Sequence, residues 1–108
     1  MNEIENLVIK NLLLNEDYVR KALPFIKSEY FADITGRKIF DIASKYFIEY
    51  SALPTKEALI IEVGQINDIS DDQHKQIVES ISKIDNEESE HEWILDTTEK
   101  WCKERALY

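Results

Sequence analysis

A chain of 108 residues, 44% apolar and 32% charged, has the size and balance of one globular domain, which buries roughly two-thirds of the surface its unfolded form exposes. Two glycines and two prolines are too few for the turns of a many-stranded β protein, and a net charge of −9 with scattered basic residues opposes binding to a phosphate backbone. Cys102 is the single cysteine, no apolar run is long enough to span a membrane, and Glu3 and Glu5 stand where a signal peptide carries lysines, so the expectation is a cytoplasmic protein with protein partners.

Periodicity predicts about six helices. Asn2 caps the first, with Ile4, Leu7, Val8, Leu12 and Leu14 as its apolar set. Asn15 caps the second, which has Glu16 and Asp17 in its first turn, where acid favours the helix dipole. Pro24 kinks that helix or ends it at Leu23. Ser28 is expected to cap a single aromatic turn, Glu29-Tyr30-Phe31. A long third helix runs from about Thr35 to Tyr50, with an apolar stripe of Ile39, Phe40, Ile42, Ala43, Tyr46, Phe47 and Tyr50. That spacing assigns most of the aromatic residues to the core. Thr55 opens a fourth helix just after Pro54. Gly64 suits the left-handed position that ends it. Ser70 starts a fifth helix carrying His74, Ile77, Val78, Ile81 and Ile84. Asp85 to Ser89 is an acidic loop. The last helix runs from about Ser89 to Tyr108 and stops without Gly, Pro or a cap, which is expected of a chain that continues.

The sequence holds no catalytic signature. Gly36-Arg37-Lys38 is the one site that joins glycine to basic residues, and it lacks the GxxxxGK[ST] pattern that cradles phosphate. Glu88, His91 and Glu92 have one-face helical spacing, but a structural metal site needs about four ligands; a solvated acidic helix start is the simpler reading. His74 reads as a surface residue. Cys102 beside Trp101 reads as a small buried apolar residue rather than a nucleophile. The third helix, the Ser51–Pro54 turn and the fourth helix mimic a helix-turn-helix. Its second helix would present Lys56, Glu57, Ile60 and Glu62, with one cation among them, too few for reading DNA. Trp101, Glu104, Arg105 and Tyr108 form a band suited to a protein–protein contact. The competing reading places Trp101 in the core and the others in solvent.

In order and spacing, several segments resemble the N-terminal domain of DnaB-type replicative DNA helicases, in the T-even-like bacteriophage branch. They are Leu12 to Leu14, the Tyr30-Phe31 turn, the helix with Ile39-Phe40 and Tyr46, and Pro54-Thr55. The segment from His91-Glu92-Trp93 through Lys103-Glu104-Arg105-Ala106 resembles the phage branch in particular. The family pattern often has Gly ahead of that proline, where this chain has Ser51-Ala52-Leu53-Pro54.

The resemblance implies an all-α, compact bundle of about six helices spanning 1–108, a non-catalytic head cut before a helical hairpin and a RecA-like motor domain. It implies roles in ring assembly and in contacts with primase or a loader, in the bacterial host cytoplasm if the chain is phage-encoded. Expected partners are other helicase subunits and primase. No cofactor is expected here, since ATP and magnesium belong to the motor. The head alone is expected to be a monomer or weak dimer that does not bind nucleic acid, and the parent a hexamer. A free-standing acidic phage adaptor or DNA-mimic regulator is the alternative.

Overall fold

Every α-helix begins at a side chain that accepts a hydrogen bond from its own first turn. The computed structural model describes residues 2–107, with α1 at Glu3–Leu14, α2 at Glu16–Ala22, α3 at Ile34–Tyr50, α4 at Lys56–Gly64, α5 at Asp71–Ser82 and α6 at His91–Ala106. The Asn2 amide oxygen accepts from the Glu5 N–H at 2.8 Å and that of Asn15 from Tyr18 at 3.1 Å. The Thr55 hydroxyl accepts from Ala58 at 3.0 Å. Ser70 and Gln73 close a reciprocal capping box at 3.2 and 2.9 Å. Each such cap stabilises by about 0.5–2 kcal/mol. Asp33 caps α3, whose first residue Ile34 lies one ahead of the start predicted for that helix. Glu90 caps α6, so the acidic loop extends one residue past Ser89.

Pro24 does not simply stop α2. It sits in a 3-10 turn, Leu23–Phe25, that tightens the helix end, where its fixed φ and missing N–H cost little. A second 3-10 turn spans Ser28–Tyr30, and Lys27, not Ser28, occupies its cap position without a side-chain bond. Among the described residues there is no strand, and no helix is long and apolar enough to cross a membrane.

Helix α1 packs against α2, α3 and α6, while α3 also carries α4 and α5. Being covered on several sides, α1 buries more than one stripe. Ile9 and Leu13 lie in the core with Val8 and Leu12, whereas Ile4 and Leu14 are 38% and 40% exposed at its edge. Two polar residues of α1, Glu5 and Asn11, are also buried. Each is satisfied: Glu5 accepts from the Ala32 N–H at 2.8 Å, and the Asn11 amide donates to the Leu7 carbonyl at 2.8 Å and to the Ser89 hydroxyl at 3.1 Å. A buried Tyr18–Thr98 hydroxyl pair at 2.7 Å ties α2 to α6. A polar group buried without such a partner costs about 1–3 kcal/mol.

The left-handed residue is not where the sequence predicts it. Gly64 is the last residue of α4, and no glycine has a positive φ. The chain leaves α4 through right-handed turns, with the Gln65 and Ile66 N–H groups donating to the Glu62 and Val63 carbonyls, both at 3.1 Å. Ser51 instead ends α3 at φ 52°, ψ 34°, the residue from which the turn to Pro54 departs. A side chain there is strained by roughly 1–2 kcal/mol relative to the right-handed region. Glycine removes that strain but adds unfolded-state entropy of about 0.5–1 kcal/mol. Ser51→Gly is therefore expected to raise stability by up to about 1 kcal/mol. Thermal unfolding measures it, and a lowered midpoint contradicts the left-handed turn.

Candidate functional site

The Tyr30-Phe31 turn, which reads in the sequence as a local aromatic cluster, is gripped from three helices. Its Tyr30 carbonyl accepts from Arg105 Nε–H of α6 at 2.8 Å. Its Phe31 carbonyl accepts from Arg37 Nε–H of α3 at 2.9 Å, and Glu5 of α1 takes the next N–H, that of Ala32. Rings fill the space inside this grip. Trp101 stands edge-on to Tyr30 at 6.0 Å between centroids and lies 5.1 Å from Phe31, which in turn lies 5.5 Å from Phe40. Pairs at these separations add about 0.5–1.5 kcal/mol beyond area burial.

The predicted band of Trp101, Glu104, Arg105 and Tyr108 is thereby divided. Trp101 is 4% exposed and belongs to the core, because α6 turns it towards the aromatic turn. It offers no surface to a partner. Arg105 is half-buried and spends its Nε–H on a backbone carbonyl. Glu104 is exposed. Tyr108 lies outside the described residues. Beside this helix, a shallow apolar cavity of about 570 Å³ runs between α2 and α6, with Phe25, Tyr30, Leu95 and Cys102 in its lining. Phe25 is 70% exposed there. The sequence carries no signal for this cavity, whose walls come from distant segments.

Of the other constellations, Glu88 and His74 depart from their sequence reading, while Cys102 is buried as expected. Glu88 lies in the loop before α6, so it shares no helical face with His91 and Glu92. Among the described residues no three His, Cys, Asp or Glu side chains gather as a metal group. His74 is half-buried rather than a plain surface residue, its Nε2 2.9 Å from the Ile66 carbonyl, which ties the start of α5 to the end of α4. Cys102 is buried, and that burial pushes its thiol up to about 11, away from the thiolate needed for nucleophilic attack. Burial also drives the Tyr18 phenol far above its ordinary value, against the opposing effect of the Thr98 hydrogen bond.

Helix α4 exposes acid rather than a cluster of cations. Lys56, the one cation of the set read as a recognition surface, donates to the Ile84 carbonyl at 2.6 Å and so points back onto the fold. Glu57 and Glu62 remain exposed, and carboxylates there repel phosphate.

Tyr46 and Tyr50 depart furthest from their predicted core role. Their rings pair with centroids 4.7 Å apart, Tyr50 is 60% exposed, and both line a groove between α3 and α4. Phe47, one residue further round α3, lies beneath the Arg20 guanidinium at 5.5 Å. The α3 stripe is therefore fully buried only over its first half, through Gly36, Ile39, Phe40 and Ala43, while Ile42 and Phe47 pack partly buried against the core.

Comparison with known proteins finds a distant relative, the DnaB-like replicative helicase of Enterobacteria phage T4, 24% identical over 102 residues. The match takes in 94% of this chain and 21% of that helicase, so the chain spans about a fifth of the length of the relative it matches. No family model matches, and no solved structure matches significantly.

Proposed function

We propose that this chain is the non-catalytic N-terminal head of a replicative DNA helicase. In this reading it supplies contacts between ring subunits and to primase or a loader, while a motor domain elsewhere in the parent polypeptide hydrolyses nucleotide. The observation that carries the reading is the relation to the T4 DnaB-like helicase, which takes in almost all of this chain but only about a fifth of that protein. Two features support a non-catalytic part. The sequence has no GxxxxGK[ST] loop to hold phosphates, and the exposed face of α4 is acidic where DNA would need cations. On this reading ring closure falls to a helical hairpin and the motor elsewhere in the parent, and the small interfaces left to a head are transient ones.

The test is a set of titrations of the labelled chain. Calorimetry with ATP and magnesium is expected to show no binding. Anisotropy with forked and single-stranded DNA is expected to show none at physiological salt. The intact helicase of the same replication system, or its primase, is expected to bind saturably. Sedimentation velocity of the chain alone is expected to give a monomer or weak dimer. Micromolar nucleotide binding, tight salt-sensitive DNA binding, or failure to bind both helicase and primase overturns the reading.

A further inference from the structure

We propose that the groove between α3 and α4 is a docking site for an arginine-bearing segment of a partner protein. The groove has a volume of about 510 Å³, and Tyr46, Tyr50 and Ile66 contribute its aromatic and apolar surface. The tyrosine pair is the first observation. Two aromatic rings tilted by 49° with centroids 4.7 Å apart, one of them 60% exposed, leave aromatic surface in contact with solvent. Such a surface attracts a guanidinium, which stacks on it as an ammonium does not. The chain already contains one contact of this type, Arg20 over Phe47 on the same helix.

Charge is the second observation. Asp41, Glu49 and Glu62 stand at the edges of the groove. Among the described residues none of the three takes part in an ion pair, although Glu16, Asp68, Asp85, Asp96 and Glu99 all do. Lys45 is the one cation beside them, which leaves the rim net negative. Carboxylates flanking an exposed ring give an arginine both a stacking face and forked hydrogen-bond acceptors. The net charge of −9 steers a basic partner towards this surface and repels a second copy of the chain or a nucleic acid. The occupant that fits is therefore a basic protein segment. This inference stands on the residues of the groove and not on the helicase reading.

The probes are acetylated tetra-arginine, tetra-lysine and tetra-glutamate amides, titrated into the isotope-labelled chain with amide shifts followed by NMR. Tetra-arginine is expected to shift signals around Tyr46, Tyr50, Glu62 and Ile66 first. It is expected to bind more tightly than tetra-lysine, and tetra-glutamate not at all. Tyr50→Ala, at an exposed position that leaves the core intact, is expected to weaken tetra-arginine about fivefold. Glu49→Gln with Glu62→Gln is expected to do the same. Glu87→Gln with Glu88→Gln, in the distant acidic loop, is the control and is expected to change affinity less than about twofold. Equal affinity for arginine and lysine peptides, shifts spread over every acidic surface, or indifference to Tyr50→Ala overturns the proposal. So does a concentration-dependent dimer that Tyr50→Ala dissolves, because the groove would then be filled by a second copy.

Discussion

Trp101→Ala is expected to lower the stability of the domain by about 3–5 kcal/mol, the usual cost of truncating a buried aromatic side chain. Trp101 is 4% exposed and contacts both Tyr30 and Phe31. The cavity left behind opens against a turn whose backbone is already tied to three helices, so the surroundings cannot collapse easily to fill it. Loss of that ring also loosens the stretch of α6 from which Arg105 reaches the Tyr30 carbonyl. A small domain has about 5–15 kcal/mol of stability in total, so the variant is expected to be partly unfolded or close to it. Urea unfolding followed by far-ultraviolet circular dichroism measures the change without relying on the removed fluorophore. A shift within about 0.5 kcal/mol, the range of ordinary surface substitutions, would mean that Trp101 faces solvent and is free to meet a partner after all.

Phe40→Ala is expected to cost a similar amount, about 3–5 kcal/mol, by emptying the other side of the same cluster. Phe40 is 6% exposed and lies 5.5 Å from the Phe31 ring, where α3 meets the aromatic turn. The matched control is Ile48→Ala on the same helix. Ile48 is 75% exposed, so that change is expected to stay within about 0.5 kcal/mol. An unchanged unfolding midpoint for Phe40→Ala, or a large loss for Ile48→Ala, would reverse the facing of α3. Trp101 and Phe40 both touch Phe31, so the double variant is not expected to show the sum of the two single losses.

These two positions differ in how far the sequence speaks for them. Phe40 is legible because it lies mid-stripe in a long periodic helix, and periodicity is a property of neighbours along the chain. Trp101 leaves two readings open. Near a helix end an aromatic residue can turn either way, and the rings that receive it lie some seventy residues earlier. The relation to the T4 DnaB-like helicase agrees with the sequence resemblance, which rested on the order of local segments. Corresponding local information exists for no binding surface: Tyr46 and Tyr50 fit the core stripe by spacing, yet α3 outruns the elements that cover it.

The caps show what the sequence determined by itself. Asn2, Asn15, Thr55 and Ser70 each bond a backbone N–H three residues on, and a contact that short needs only the local chain. The starts of these four helices follow from it, and the helix number from periodicity. Tertiary structure alone decided which distant group each polar side chain of a helix meets. Nothing local assigns Glu5 a partner until Ala32 is brought to it, Arg105 is left between a partner band and solvent until Tyr30 arrives, and Lys56 is the lone cation of a helix-turn-helix mimic until Ile84 takes its ammonium. In each case the partner is a backbone group of a distant segment. Every residue type offers that same N–H or C=O, so nothing in its identity announces the bond, and only the folded path of the chain brings it into place.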